Sequence, residues 1–366
     1  MTEDPLQFLK ELGWNSFFQE HFQLIKVPGS VPGRVISESK GSYQVNSQYG
    51  ELTAKIAGKM RYQAGVEQLY PAVGDWVVIK PLVNEEKATI HAVLPRKSKF
   101  SRKVAGERTE EQVVSANVDT VFIVSGLDGG RNFNLRRIER YLTLTWSSGA
   151  TPVIVLNKVD LCPDVDVFIR NVETIAPGIS IHPVSAKERI GLEALRNYLI
   201  KGHTVAFLGS SGVGKSALIN ALLGIEKQEI GEVREDDHMG RHTTTRRELI
   251  LLPGGGMMID TPGMREIQMW AGEDDLQDTF YDIETLAKRC RFNDCNHNAE
   301  AGCAVREAIG NGDLDPARLE SYRKLQNELI YLASREGGST RQYEKLKYKK
   351  IAKWSKEIQK RFYQTQ

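Results

Sequence analysis

A chain of 366 residues with 40% apolar and 26% charged side chains has the composition of an ordinary soluble globular protein, long enough for two or three domains. Its net charge of +2 excludes nucleic-acid binding by bulk charge, so any basic surface has to come from local clustering. No apolar run reaches membrane-spanning length, the opening Met1-Thr2-Glu3-Asp4 is acidic where a signal peptide is basic, and three of the four cysteines crowd into Cys290–Cys303; the expectation is a cytoplasmic protein, without membrane association, whose clustered thiols hold metal rather than disulfides.

Residues 1–30 read as a short helical extension with Leu6, Leu9, Phe17, Phe18 and Phe22 as its apolar set, packed on its own domain and without chemistry. Over residues 31–103 the pattern becomes short alternating runs between Gly-containing turns: Pro32–Ile36, Ser42–Val45, Glu51–Ile56, Asp75–Ile79 and Ala88–Val93. Five strands at that spacing predict a small OB-like β-barrel. Barrels of this kind bind oligonucleotides through aromatic and basic side chains, for which Tyr43, Tyr49, Tyr62 and Trp76 are candidates, with Trp76 the one best suited to the core. The run Arg96–Lys103 is basic; a solvated linker and a phosphate-backbone contact fit it equally.

Residues 104–272 carry an α/β pattern. Val118–Ser125, Pro152–Leu156, Ile179–Val184 and Thr204–Leu208 read as strands, and a helix capped by Asn134 runs to Trp146. The second strand runs into Asn157-Lys158-Val159-Asp160. A carboxylate at Asp160 can accept from guanine N1–H and N2–H, and it rejects adenine, which offers no donors there. The Lys158 stem can lie along the base, and Asn157 can stiffen the loop. After the next strand comes Ser185-Ala186-Lys187, where a backbone N–H can donate to guanine O6.

Gly209-Ser210-Ser211-Gly212-Val213-Gly214-Lys215-Ser216 fits the P-loop pattern between a buried strand and a helix. Its N–H groups and the helix N-terminus, with Ala217 in the first turn, suit phosphate; Lys215 reaches the outer phosphates and the Ser216 hydroxyl ligates Mg²⁺. Beyond a polar segment at Gly240–Thr245, a hairpin pairs Glu248–Leu252 with Met257–Ile259 and delivers Asp260-Thr261-Pro262-Gly263. Asp260 can hold Mg²⁺ through water, and the Gly263 N–H can sense the γ-phosphate. One of Thr243, Thr244 and Thr245 can add a hydroxyl to the ion. The guanine-reading loops precede the P-loop, the reverse of the usual order. Because loops at one edge of a parallel sheet keep their places when the ends are rejoined elsewhere, this order is a circular permutation.

Residues 273–366 read as a zinc-binding and helical domain. Cys290, Cys295, His297 and Cys303 supply three thiolates and an imidazole, a closed set suited to one structural Zn²⁺ per chain. Asp315-Pro316 opens a helix with Leu319, Tyr322, Leu325 and Leu329, broken at Gly337-Gly338. The tail from Arg341 to Arg361 is basic with Tyr348, Trp354 and Phe362, suited to rRNA phosphates or to a plain solvated face.

These motifs resemble those of the RsgA (YjeQ/YloQ) family of circularly permuted GTPases. The matching stretches are Ala116–Asp119, Glu139–Leu142, Asn157–Asp160, Gly209–Ser216, Gly240–Thr245, Asp260–Gly263 and Cys290–Phe292 through Cys303–Val305. One departure is Ala301 before Gly302, where the family has Pro, a change in a turn that touches no ligand. The resemblance implies a multi-domain α/β fold: an OB-like barrel, a permuted P-loop GTPase domain and a C-terminal zinc domain. It implies a GTP hydrolase that assists late maturation of the 30S subunit, binds 16S rRNA and is stimulated by the subunit; a monomer is expected. The rival class is a GTP-gated assembly switch with negligible intrinsic hydrolysis, and an ATP-dependent P-loop enzyme is argued against by Asp160. Met264 stands where many GTPases carry the Gln that orients the attacking water, so another polar group has to serve. His242, next to the threonines, is the choice, and the resemblance assigns that role to it; His238 is the alternative, and Arg241 could stabilise transition-state charge.

Overall fold

A computed structural model describes residues 5–39, 41–58, 60, 70–82, 85–103, 111–130, 132–224, 248–260 and 273–335. These divide into two compact units, one holding the described residues up to Asp260 and the other those from Glu273 onward.

The first unit opens with helices α1 (Pro5–Glu11) and α2 (Ser16–Leu24), the latter capped by Asn15, whose side chain accepts from Phe17 N–H at 3.2 Å. Strands β1 (Val31–Ser39), β2 (Ser42–Ser47), β3 (Gly50–Ile56), β4 (Trp76–Pro81) and β5 (Lys87–Val93) follow in the positions expected from alternation. Their order β1-β2-β3-β5-β4 closes through a β1–β4 pairing, which makes a five-stranded barrel. Alternate residues of β2 and β3 turn inward, so Val35, Tyr43, Val45, Leu52, Ala54, Val77, Ile79 and Ile90 fill the interior. Tyr43 and Trp76 are thus core residues and unavailable for stacking on bases; Tyr49 is exposed, and Tyr62 lies outside the described residues. Trp14 and Phe18 pack their rings on Trp76 at 4.7 and 5.8 Å, which fastens the N-terminal helices to the barrel.

The basic run after the barrel is built into the fold. Arg96 makes a two-pronged ion pair with the buried Asp75 at 2.7 and 2.8 Å, and the Lys97 ammonium lies 5.3 Å from the rings of both Phe17 and Phe18. Burial pushes the Asp75 carboxyl up, and Arg96 opposes that shift. Strand β6 (Lys99–Lys103) then pairs with β7 (Glu111–Ala116).

Strands β8 (Thr120–Gly126), β9 (Thr151–Asn157), β10 (Ile181–Val184) and β11 (Thr204–Leu208) are mutually parallel, and β12 (Glu248–Leu251) joins antiparallel to β13 (Met257–Asp260), which lies parallel to β11. The order is β10-β9-β8-β11-β13-β12, and β12 continues into β1 of the barrel through Ser37↔Glu248. Helices α3 (Leu135–Ser148), α4 (Val165–Ile175), α5 (Leu192–Arg196) and α6 (Lys215–Leu223) connect the strands. β8 and β11 are buried at every residue, as strands covered on both faces are. Asn134 caps α3, accepting from Arg137 N–H at 3.0 Å.

Arg34, on β1, fastens the barrel to this sheet. Its guanidinium is buried and donates to the carbonyls of Leu12, Gly74 and Asn117, to Thr204 Oγ1 at 2.8 Å, and to Met257 Sδ. Burial lowers its pKa to about 10, which leaves it charged at neutral pH. Asn117 adds bonds to Lys97 N–H and Gly74 O, and Asp119 accepts from Thr204 N–H at 2.8 Å. So Val118 and Asp119, expected as strand, belong to a joint ahead of β8. Gly74 has φ +89°, and a Cβ there would stand 2.1 Å from Ala116 O; only glycine permits so close an approach.

The second unit contains α7 (Glu273–Thr279), α8 (Tyr281–Ala287), α9 (Ala304–Asn311) and α10 (Pro316–Arg335). Asp315 accepts from Ala317 N–H at 2.9 Å and caps α10, and Leu319, Tyr322, Leu325 and Leu329 are its buried face. Arg318 pairs with Asp282 at 2.6 and 2.9 Å beneath the Phe280 ring. Among the described residues no helix is long and apolar enough to cross a membrane.

Candidate functional site

The parallel strands β8, β9, β10, β11 and β13 all end at one edge of the sheet, at Gly126, Asn157, Val184, Leu208 and Asp260. Open α/β sheets bind ligands at that edge. The loop Gly209–Gly214 leaves it and α6 begins at Lys215, so the helix N-terminus faces the loop. Val213 is buried in the hydrophobic core, whereas Ser211, Gly212, Ser216 and Ala217 are exposed. The loop is therefore anchored from within and open above. Gly214 has φ +96°, and a Cβ there would stand 2.3 Å from Asn157 Nδ2. Lys215 Nζ donates to the carbonyls of Gly209 and Ser210 at 2.7 Å each, and Arg137 donates to Ser210 Oγ at 2.9 Å.

Asn157 ties three loops together. Its Nδ2 donates to Val213 O at 2.9 Å, its Oδ1 accepts from Ala186 N–H at 3.0 Å, and its carbonyl accepts from Leu127 N–H at 2.8 Å. Asp160, three residues on, is exposed, and its Oδ1 accepts from Ser185 Oγ at 2.6 Å. Ser185 Oγ in turn accepts from Glu188 N–H at 3.1 Å, and a short antiparallel bridge from Ser185 to Ile190 closes that loop. A carboxylate oriented by a hydroxyl and left open to solvent can accept two parallel N–H donors such as those of guanine. Lys158 lies in the left-handed region, φ +69°, and its ammonium meets Asp128 at 2.6 Å. Hydrogen bonds from Lys158 and then Asn132 hold the Asp128 carboxyl below the usual carboxylate range. Lys187 is exposed beyond Ala186.

The edge thus brings together Asn157–Asp160, Ser185–Lys187 and Gly209–Ala217. Asp260 is the last residue of β13, opposite Glu248. Gly263, His242, Thr243, Thr244, Thr245, His238 and Arg241 lie outside the described residues, as does the basic tail. Sequence reasoning missed Asp128, whose only local signal is a Gly-rich turn after a strand.

In the second unit the ligand atoms of Cys290, Cys295, His297 and Cys303 all lie within 4.8 Å of one another. The Cys290 and Cys303 sulfurs are 3.9 Å apart and stand 3.6 and 3.5 Å from His297 Nδ1. A tetrahedral ion with sulfur bonds of about 2.3 Å and nitrogen bonds of about 2.0 Å needs edges of roughly 3.8 and 3.5 Å, so the donor set fits a four-coordinate metal. Glu300 accepts from the N–H groups of Asn296, Asn298 and Ala299 at 2.8–3.0 Å, and Arg323 donates to the carbonyls of Asn296 and His297 at 3.1 and 2.7 Å. These bonds shape the loop that carries His297, itself at φ +60°.

A P-loop locked by one asparagine to the Asn-Lys-x-Asp and Ser-Ala-Lys loops that precede it in the chain is the arrangement of a circularly permuted P-loop GTPase. The sequence profile of the RsgA GTPase family matches residues 93–270. The small ribosomal subunit biogenesis GTPase RsgA of Opitutus terrae is 46% identical, with 94% of this chain and 95% of that protein covered. RsgA 1 of Oceanobacillus iheyensis is 47% identical, covering 87% and 91%. Among solved structures, YjeQ from Thermotoga maritima superposes with a TM-score of 0.61 at 30% identity, over 82% of this chain and 99% of that one. YloQ, a circularly permuted GTPase, shares the fold with a TM-score of 0.57 at 24% identity, over 82% and 95%. The chain belongs to the RsgA family.

Proposed function

We propose that this protein binds GTP at the sheet edge, hydrolyses it to GDP and phosphate, and uses that cycle to assist late maturation of the small (30S) ribosomal subunit, which stimulates the hydrolysis. The observation that carries the reading is the bridge through Asn157, which joins the P-loop carbonyl of Val213 to the Ala186 N–H beside the guanine-reading Asp160. Base and phosphate sites are thereby held at a fixed spacing, as one ligand with both ends requires. In this reading Asp160 accepts from guanine N1–H and N2–H, Ser185 orients that carboxylate, and the Ala186 to Lys187 backbone faces O6. Lys158 and Val159 complete the base loop. Gly209 to Ala217 cradle the phosphates, Lys215 neutralises their charge and Ser216 supplies a hydroxyl to Mg²⁺. Asp260 reaches the same ion through water, Gly263 senses the γ-phosphate and His242 orients the attacking water.

The proposed organisation is a helical extension at 1–30, the barrel at 31–103, the GTPase domain at 104–272, and a zinc-binding and helical domain at 273–366. Cys290, Cys295, His297 and Cys303 hold one structural Zn²⁺, for which three thiolates and an imidazole are the fitting donors. The flanking domains supply the contacts to 16S rRNA, and the protein acts in the cytoplasm as a monomer. A second reading, a GTP-gated switch with negligible intrinsic hydrolysis, is favoured by Met264 in place of a water-orienting Gln.

Phosphate release measured with and without 30S subunits decides between the two. Stimulated release that is lost in Lys215→Ala and His242→Ala, with His242→Ala still binding GTP, supports the proposal. GTP-dependent 30S binding without release supports the switch.

A further inference from the structure

The turn after β8 has no part in the guanine and phosphate reading, yet it is built against both. Gly126, the last residue of β8, pairs with Asn157, the last of β9, so the turn that begins at Leu127 leaves the sheet level with the base loop. Leu127 N–H donates to Asn157 O at 2.8 Å. Asn132 is held from behind, its carbonyl accepting from Ser125 Oγ at 3.0 Å, and its amide lies beside Gly212 of the P-loop, 3.8 Å from where a Cβ would stand. From this seat Asp128 Oδ2 receives two donors at once, Asn132 Nδ2 at 2.7 Å and Lys158 Nζ at 2.6 Å. The two members of the ion pair keep only 19% and 26% side-chain exposure, so it is screened less than a surface pair.

Lysine side chains are long, and covering a base with one sacrifices its rotamer freedom at the moment of binding. A stem fixed beforehand has already lost that freedom. We propose that Asp128 is a positioning residue for guanine: through the Lys158 ammonium it holds the lysine stem where it covers one face of the base, while Asn132 keeps the carboxylate in place. The inference rests on the guanine reading of Asn157–Asp160. It assigns Asp128 no contact with the base edge and no part in the chemistry.

The test is a double-mutant cycle on GDP affinity, read by a fluorescent guanine nucleotide with the full-length chain, alongside melting temperatures. Asp128→Ala is expected to weaken binding about tenfold, and Asp128→Asn, which keeps the shape and the acceptor for Asn132 but lacks the charge, by about threefold. In a Lys158→Ala background, Asp128→Ala is expected to change affinity less than twofold, because the residue acts through Lys158. The tenfold loss should be the same for inosine diphosphate, which lacks the N2 donor read by Asp160. Additive losses in the double variant, or full affinity in Asp128→Asn and Asp128→Ala, overturn the proposal. Should Asp128→Ala melt early, Asp128→Asn in both backgrounds answers the same question. Full affinity in both Lys158→Ala and Asp160→Asn overturns the guanine reading itself, whereas a loss in those two with none at Asp128 overturns the positioning role alone.

Discussion

Asn157 and Val213 are 56 residues apart in the chain and bonded at 2.9 Å, whereas Cys290 and Cys303 are 13 apart with sulfurs at 3.9 Å. The first pair is joined by protein atoms alone. Strand register delivers the loops to one edge, and hydrogen bonds through Asn157 and Ser185 lock them, so the sheet edge takes its shape from the fold. The cysteine cluster gathers four donors within 4.8 Å of one another, and burial pushes the Cys295 thiol up to about 11. Thiols so crowded have little attraction for one another; a cation makes the set cohesive. A site assembled by a sheet survives rearrangement of chain order, whereas the cysteine cluster draws all four donors from the single stretch Cys290–Cys303.

Removing the proposed zinc should therefore have the largest effect. Structural zinc contributes on the order of 10 kcal/mol to small metal domains. Cys303→Ser or strong chelation is expected to release metal, measured by elemental analysis, and to melt the helices from α7 onward while GDP affinity stays within about twofold. A protein purified without chelators that carries no zinc would break the comparison. Next in size is base selectivity. Asp160→Asn should shift the GTP-to-XTP preference by about 10³-fold or more, because the amide donates where xanthine has an acceptor. Competition binding with the two nucleotides measures it, and an unchanged ratio would remove the base-reading role of this loop.

Smaller effects sharpen the contrast. Glu300→Ala should weaken metal retention by about 10- to 100-fold in a chelator competition without unfolding the metal-loaded protein, since it deprives the loop of support and the ion of no ligand. Asn157→Ala should weaken GDP by about tenfold with a stability loss of about 1–3 kcal/mol, because Val213 O and Ala186 N–H are left buried without it. If Asn157→Ala lost stability alone, with affinity intact, the lock between base and phosphate loops would be structural only.

What was legible in the sequence is what local patterning encodes. Alternation marked the five barrel strands, continuous apolar runs marked β9 and β11, and Asn134 and Asp315 announced their helices. The place of Asn157–Asp160, Ser185–Lys187 and Gly209–Ala217 at the sheet edge was legible because each follows a recognisable strand. The basic run at Arg96–Lys103 could not be read: Arg96 finds Asp75 21 residues away, Lys97 finds rings from α2, and nothing local distinguishes them from solvated charges. Asp128 was hidden for the same reason, since its partner Lys158 lies 30 residues on across a strand pair. The aromatic residues Tyr43 and Trp76 show the converse, a side chain suited to stacking on bases spent instead on packing.

The buried guanidinium of Arg34 bears on where this chain can be cut. Motifs place a border between barrel and GTPase near residue 103, but Arg34 spends its donors on Leu12, Gly74, Asn117, Thr204 and Met257, which lie on both sides of that border. Severing the chain there would strip the Asn117 carbonyl, the Thr204 hydroxyl and the Met257 sulfur of their donor on one fragment and leave the Arg34 guanidinium without those acceptors on the other. A barrel exchanged for that of a relative would need a donor in the place of Arg34 to meet the Asn117 carbonyl, Thr204 and Met257. Truncation or chimaera work has for this reason to treat the barrel and the GTPase sheet as one indivisible block.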